Sequence, residues 1–562
     1  MKYANWNVPE RGAEIPRALL AAGCTPLLAA ILHLRGLSDP AAARSFLRGG
    51  AETLTNPLEL TGMVDAVQRL TRAVATGEHV AVYGDYDVDG ITAACLLTDY
   101  LRFRGLTCEL YIPDRISEGY GLNTAAIDAL AEEGVTLIVT VDCGVTNLEE
   151  TAYAAQRGVD MIVTDHHECR EALPEAEAVV DPKQPDSSGV GTALAGVGVA
   201  FKLVCAMEGD AEKMLARYGD LVAVGTVADV MPLLGENRFI TRCGLQKIAA
   251  GDCRPGFLAL AEEAGVRDKP FTASTVGFSL APRINAAGRL GEPSLAVRLL
   301  EETDLRRARV LAAELCAKNR ERQALEMEIW REAVERLHGE QPDAPIVLAS
   351  ESWHPGVIGI VASRLTDAYS VPAVMICLDG ESGKGSCRST GSFNLFEALS
   401  ACSDCLEGFG GHAMAAGVTV RRGCVDELRS RLREYYLSHP DRTLPALEAD
   451  LLVDSPELLT MACVESLDEL EPCGNGNPRP LLYMENVSLD SVQPIGGGKH
   501  LRLKLAKFGQ TYDGVFFSQT APALGARAGQ RCDIVFAPQI NEFHGRRSVQ
   551  LVITDLRRSK EG

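Results

Sequence analysis

No apolar stretch of this 562-residue chain reaches the roughly 18 uninterrupted residues that a membrane-spanning helix needs, because charge or glycine breaks each one. The opening segment, MKYANWNVPERG, lacks the apolar core of a secretion signal. A cytoplasmic protein with no membrane partner is the expectation. Positive charge is also short: 55 Lys and Arg against 76 Asp and Glu leave a net charge of −21, which speaks against a nucleic-acid partner for the chain as a whole. The 17 cysteines stand mostly singly, as at Cys95, Cys205 and Cys377, and are expected to be small buried apolar residues. The one C-x-x-C, Cys402 to Cys405, has no second pair at zinc spacing and reads as structural. Low-complexity segments and short repeats are missing too.

What is present is ordinary globular composition, 46% apolar and 23% charged, over a length that suits three or four domains. Residues 1–74 read as a scaffold of short helices. Over 75–290, apolar strand-like runs (HVAVYG, ELYIP, TLIVTV, MIVT) alternate with helix-like stretches, which predicts a parallel, doubly wound α/β sheet. Residues 291–344 are densely charged, poor in glycine and proline, and read as a solvated helix connecting two lobes. The α/β pattern restarts over 345–445. Residues 446–562 turn strand-rich and predict a small all-β barrel or sandwich. From Ile495 to the end, 11 Lys and Arg face 5 Asp and Glu, a local excess of +6. A basic β module on an acidic chain is compatible with binding a phosphate backbone.

Four strings carry chemistry. In VYGDYDVDGITAA, Asp85, Asp87 and Asp89 crowd together between a strand and a helix, with Gly90 allowing the turn. Carboxylates so close repel one another unless a cation offsets them. An EF-hand loop is excluded, since Leu96 stands where its acidic twelfth position falls. In TLIVTVDCG, Asp142 ends a strand, where an Asp equally serves to cap the next helix. MIVTDHHE places Asp165, His166 and His167 at a third strand end, where one imidazole can bind metal, the other face a substrate, and the Asp orient a ring. In VGTVADVMPL, Asp229 closes an apolar helix, an odd place for a solvated charge. Oxygen-rich ligands with one or two His favour Mn²⁺ or Mg²⁺ over structural zinc. Two such ions would serve phosphoester hydrolysis.

GDYDVDG, VDCG, DHHE and VADVMPL, in this order and spacing, resemble the motifs of the DHH phosphoesterase superfamily, and within it the RecJ family of single-stranded-DNA-specific exonucleases. LAGVGVAFKL, APRINAAGRLG, WHPGVIGIVASRL, GKGSCRSTGSFNL, GFGGHAMAAG and LEPCGNGNPRP extend the resemblance over nearly the whole chain past residue 70. It implies two α/β lobes, a DHH domain and a DHH-associated domain, joined by a long helix and followed by an OB-like domain. It implies two divalent cations held by Asp87, Asp89, Asp142, His166 and Asp229, with Asp85 a further ligand or a supporting partner. His167 would contact the scissile phosphate and Asp165 would orient the histidine pair. Arg283, Arg289, Arg388 and Ser389 would bind phosphates, as would the glycine-rich loop of Gly410, Gly411 and His412. Tyr83 and Cys387 depart from the more usual His and Gly.

The activity implied is 5′-to-3′ removal of mononucleotides from single-stranded DNA, in recombination and repair. A monomer is expected, with a single-strand-binding protein and a helicase as candidate partners. Two other readings stand beside it: a phosphodiesterase for short oligonucleotides or cyclic dinucleotides, and an inactive scaffold that binds DNA. The basic β tail speaks against the first, and the filled motif positions against the second.

Overall fold

The computed structural model describes residues 3, 5–115, 117–119, 121–187, 189–339, 341–440, 443, 446–543 and 545–559. Lys560 and Glu561 of the basic-tail count lie outside these.

Aliphatic runs without polar interruption suit strands covered on both faces. Such runs form the middle of a sheet of five strands, β1 (His79–Gly84), β2 (Thr107–Tyr111), β3 (Leu137–Val141), β4 (Asp160–Thr164) and β5 (Ala178–Val180), which pair in parallel in the order β2-β1-β3-β4-β5; the edge strand β2, TCELY, is only partly covered. Alternate residues enter two cores. Val80 and Val82 pack with α1 (Met63–Thr76) and α2 (Val88–Phe103), while Ala81 and Tyr83 pack with α3 (Thr124–Glu132) and α4 (Leu148–Gln156). The first core also takes α5 (Gly196–Glu208), α6 (Ala211–Ala228) and α7 (Gly235–Ala250). The sheet is thus doubly wound, as its alternating pattern predicts. The chain moves from β1 outward to β2 and then returns to β3 on the other side. Strand order reverses between β1 and β3, and a crevice beyond the carboxyl ends at such a point takes ligands.

Further along the chain come α8 (Ala281–Arg289), α9 (Pro293–Glu301) and α10 (Leu305–Arg336). The single connecting helix expected over 291–344 is therefore two helices. Glu302 is extended, and the Asp304 carboxylate caps α10 by accepting from the Arg307 N–H at 3.0 Å. Nor is α10 simply solvated. Ala308, Ala312, Leu315 and Cys316 are buried in the core of the parallel sheet, and Ile329 and Ala333 in that of a second lobe. That lobe holds β6 (Ile346–Ser350), β7 (Ala373–Asp379), β8 (Ser382–Arg388), β9 (Leu406–Gly411) and β10 (Ala415–Arg421), ordered β9-β10-β8-β7-β6, with α11 (Ile358–Tyr369) against it. Only β6 and β7 are parallel; the other pairs are antiparallel. Residues 50–442 and 472–476 form one compact unit.

The second unit is built on a barrel of β11 (Leu482–Ile495), β12 (His500–Lys507), β13 (Gln510–Phe516), β14 (Arg531–Phe543) and β15 (Arg546–Arg558). Pairing of β11 with β14 closes it and removes the open edges. In β12, Leu501, Leu503 and Leu505 are buried while Arg502 and Lys504 are exposed, the period-two alternation of a half-buried strand. The expected N-terminal scaffold is divided: residues 1–49 group with the barrel and residues 50–74 with the α/β unit. Asn5–Asn7 pairs in parallel with Ala446–Glu448. Trp6 Nε1 donates to Asp555 Oδ2 at 3.0 Å, and the Arg557 guanidinium lies 4.2 Å from the Trp6 ring centroid. Asp555 is buried, so losing this donor leaves its Oδ2 with the longer 3.3 Å bond from the Tyr3 N–H. Trp6→Ala is expected to cost the barrel unit about 2–3 kcal/mol. Hydrogen exchange at the β11, β14 and β15 amides reads this; unchanged protection would mean that the N-terminal strand adds nothing to barrel stability.

Candidate metal centre

Backbone groups and tight turns position most of the acidic residues around the ends of the parallel sheet. Asp87 caps α2, its Oδ1 accepting from the Asp89 and Gly90 N–H groups at 2.8 and 3.1 Å. Asp89 accepts from the Gly196 and Val197 N–H groups at 2.7 and 2.9 Å, at the positive end of α5. Asp142 follows β3 with φ of 61°, a left-handed conformation that turns the chain sharply at the strand end. Asp229 caps the C-terminus of α6. Two glycines make the close approach work. A Cβ on Gly90 would lie 2.5 Å from the Asp85 carbonyl oxygen, and one on Gly196 would lie 2.5 Å from Asp142 Cβ.

The side chains converge. His166 Nε2 stands 3.1 Å from Asp142 Oδ1, 3.6 Å from Asp229 Oδ2 and 3.8 Å from Asp89 Oδ2. Three donor sets have ligand atoms mutually within 4.8 Å: Asp142, His166 and His167; Asp89, His166 and Asp229; and Asp85, Asp87 and Asp142. Asp142 and His166 each belong to two of these sets.

Burial and crowding set the electrostatics. Burial, then the charge of Asp87, pushes Asp85 up to about 8. The same pair of causes pushes Asp229 up to about 7. Burial and neighbouring carboxylates raise Asp89 and Asp142 well above the usual range. Burial and the neighbouring His167 hold His166 down to about 4, so it is a neutral imidazole able to bind metal. His167 is the opposite case. Burial disfavours its charge, but the 2.7 Å contact of Nδ1 with Asp165 Oδ1 outweighs burial and lifts it to about 9. Asp165 stays below the usual carboxylate range despite burial. It accepts from His167 and from the Val145 and His166 N–H groups.

Divalent cations fit this donor set. Asp85 Oδ1, Asp142 Oδ1 and His166 Nε2 are buried without a hydrogen-bond partner, and a buried polar atom without one is costly. Carboxylate oxygens with imidazole suit Mn²⁺ or Mg²⁺.

The proposed phosphate ligands fall into two groups. Arg289 and Arg388 come together with Arg115 and Arg322. Burial and these three neighbouring charges bring Arg289 down to about 10. Arg289 donates to the Gly356 carbonyl at 3.1 Å, and Arg388 to the Cys387 carbonyl at 2.8 Å. Arg283 is engaged elsewhere, donating to the Ser279 carbonyl four residues earlier. The Ser389 hydroxyl donates to the Phe393 carbonyl at 2.7 Å and so shapes its own turn. Gly410 and Gly411 pair with Gly417 and Ala416 in the β9–β10 hairpin, and His412 is exposed at its tip. Trp353 is a core residue, its Nε1 donating to Glu332 at 2.7 Å. Cys387, Cys402 and Cys405 are all buried.

Sequence reading missed several residues here. Arg115 lies 4.9 Å from the Tyr86 ring centroid in a loop with no local signal. Gly225 faces Asp89, with room for no Cβ (3.0 Å to Oδ1, 2.4 Å to Thr92 Oγ1). Asp181 ends β5 as Asp85, Asp142 and Asp165 end β1, β3 and β4. It is fully buried, with Oδ2 unpartnered. The repeated strand-then-Asp pattern in AVVDPK was a legible signal for it.

Three family profiles match the chain: DHH family, N-terminal domain, over residues 79–226; DHHA1 domain over 325–437; and RecJ OB domain over 450–555. The single-stranded-DNA-specific exonuclease RecJ of Bacillus subtilis is 40% identical over 541 residues, covering 94% of this chain and 68% of that protein. The RecJ of Dickeya dadantii is 36% identical over 98% of each chain. Among solved structures, RecJ from Thermus thermophilus in complex with Mn²⁺ aligns with a TM-score of 0.85 at 31% identity, over 99% of this chain and 80% of that one. An exonuclease RecJ bound to manganese aligns at 38% identity with a TM-score of 0.60, over 69% of this chain and 97% of that one. With sheet, second lobe and barrel all aligned at this level, the chain belongs to the RecJ family.

Proposed function

We propose that the chain is a metal-dependent exonuclease that hydrolyses phosphodiester bonds of single-stranded DNA, from the 5′ end and with release of mononucleotides. The observation that carries this is the group of buried, unpartnered donors on Asp85, Asp142 and His166 at the switch point of the sheet, in a chain with RecJ relatives throughout its length. Asp87, Asp89, Asp142, His166 and Asp229 would hold two divalent cations, Mn²⁺ or Mg²⁺, with Asp85 beside them. Such ions supply a bound water of lowered pKa and offset negative charge on the phosphoryl oxygens.

The protein's own residues do the rest. His167 carries a proton at both ring nitrogens at neutral pH, since its pKa is about 9. Asp165 fixes the ring through Nδ1, and the imidazolium serves a phosphate oxygen with its other N–H. Arg115, Arg289, Arg322 and Arg388 form a crowded set of cations, of which Arg322 is paired with Glu326 at 2.6 Å, and a phosphate would relieve the repulsion among the others. The outward Arg502 and Lys504 of the barrel suit a sequence-independent grip on a DNA backbone. The family also supports roles in recombination and repair, a cytoplasmic monomer, and a single-strand-binding protein and a helicase as partners. Among the described residues no helix is long and apolar enough to cross a membrane.

The direct test uses single-stranded oligonucleotides labelled at either end, with Mn²⁺ or EDTA, beside duplex and RNA controls. Immediate metal-dependent release of a mononucleotide from the 5′ label is the expected result. Cleavage confined to di- to pentanucleotides would replace this reading with a short-oligonucleotide phosphodiesterase, and no cleavage at all would replace it with an inactive scaffold.

Asp142→Asn is expected to lower cleavage by at least about 100-fold, because it alters the ligand shared between two donor sets. Binding of single strands, read by fluorescence anisotropy, should stay within about threefold, since the basic groups proposed to hold the strand are elsewhere. Near-normal cleavage by this variant would remove Asp142 from the metal site.

Stability should depend on pH in a metal-sensitive way. With Asp85 and Asp229 raised to about 8 and 7, the metal-free folded protein keeps protons that the unfolded chain releases near pH 4. The folded state therefore binds more protons across that window, and its stability falls as pH rises through it. Thermal unfolding in EDTA should show a lower midpoint at about pH 8.5 than at about pH 6. Saturating Mn²⁺ should abolish that fall, because metal takes the place of the protons. An identical fall with and without Mn²⁺ would argue against ions on these carboxylates.

A further inference from the structure

The loop after α6 holds a conformation that its sequence disfavours. Val230, directly after Asp229, has φ of 58°. A β-branched residue in the left-handed region is strained and stays there only where its surroundings enforce it. Packing of its own side chain does not enforce it, since Val230 is 65% exposed.

The helix end supplies part of the enforcement, the Val230 N–H donating to the Val227 carbonyl and the Met231 N–H to the Thr226 carbonyl, each at 3.2 Å; further contacts come from 245 residues along the chain. Asn475 Nδ2 donates to the Val230 carbonyl at 2.8 Å, and the Asn475 carbonyl accepts from the Leu233 N–H at 2.8 Å. The flanking glycines let this segment lie flat on the loop. A Cβ on Gly474 would lie 2.8 Å from Leu233 Cδ1, and Gly476 has φ of 71° with Leu234 and Pro232 beneath it. Buried Arg238 donates to the Pro472 carbonyl at 3.1 Å. Buried Asn237 donates to the Pro232 carbonyl at 3.1 Å and also to the Ala193 carbonyl, close to the Gly196 that binds Asp89. Residues 472–476 group with the metal-bearing unit, although the chain on either side of them groups with the barrel.

We propose that Asn475 is a positioning residue for the metal centre: its side-chain and backbone hydrogen bonds keep Val230 left-handed and so keep the Asp229 carboxylate beside His166. This rests on Asp229 being a metal ligand. Without the clasp, Val230 relaxes to a negative φ, the turn rotates, and Asp229 leaves the donor set it shares with Asp89 and His166. Glycine adopts positive φ without strain, so Val230→Gly makes the turn independent of the clasp.

The test is a double-mutant cycle on the full chain: the parent, Asn475→Ala, Val230→Gly and the double variant. Mn²⁺ is titrated without DNA and followed by the electron paramagnetic resonance signal of the free ion. Cleavage is measured alongside, and unfolding midpoints are taken in EDTA. Asn475→Ala should weaken Mn²⁺ binding about tenfold. In the Val230→Gly background the same change should cost less than about threefold. A simple loss of stability does not produce this rescue. Asn475→Asp, which keeps the side-chain volume and loses the donor, carries the same test should the alanine variant not fold. Parent-like Mn²⁺ binding by the Asn475 variants, or a loss undiminished by Val230→Gly, overturns the proposal while leaving the metal centre standing. A parent that binds no Mn²⁺ removes the metal centre and the clasp together.

Discussion

Like charges in a dry crevice repel one another, and the core of this protein is arranged around that repulsion. Asp85, Asp89 and Asp142 are almost fully buried, with Asp87 and Asp229 close by. Left to itself, such a group binds protons, which is why the buried carboxylates are pushed toward neutrality. A divalent cation satisfies the same atoms with more charge and better geometry. The fold therefore stores an unfavourable arrangement that protons or a cation relieve, and its other features can be read as the means of holding that arrangement in place.

Those means are mostly backbone. Asp89 is held by two N–H groups at the start of α5, Asp87 by two at the start of α2, and Asp165 by the amides of Val145 and His166. Backbone donors fix a carboxylate without neutralising it, which a lysine or arginine partner would do. The close approaches need glycines at positions 90, 196 and 225, where a methyl group would collide with the site. Left-handed Asp142 and Val230 mark two places where the chain bends against its preference, at and beside the proposed metal ligands Asp142 and Asp229.

The carboxylates and most of the arginines gather in separate groups. The carboxylates sit at strand ends of the parallel sheet. The arginines come from α8, α10, β8 and the loop after β2, and repel one another as the carboxylates do. Hydrolysis of a phosphodiester bond would draw on both, the arginines for its oxygens and the carboxylates to hold the cations that activate water. The net charge of −21 hid this, because an average over 562 residues says nothing about where the basic groups gather.

Local sequence carried much of this protein. The parallel sheet was legible because strands covered on both faces read as unbroken aliphatic runs, and the barrel because β12 alternates leucine with Arg502 and Lys504. The acidic strings around Asp85, Asp142, Asp165 and Asp229 stood out since helix capping accounts for single carboxylates but not for so many at apolar strand and helix ends. Contacts distant in sequence decided the rest. No local pattern distinguishes Arg115, which joins the arginine cluster, from Arg283, which bonds the nearby Ser279 carbonyl. Trp6 reads as an ordinary N-terminal residue until Asp555 closes on it, and Asn475 as a turn residue until it meets Val230. Periodicity and strand-end chemistry are set by neighbours in the chain and can be read there. The pairing of groups hundreds of residues apart depends on how packed elements meet, and only the tertiary structure settles it.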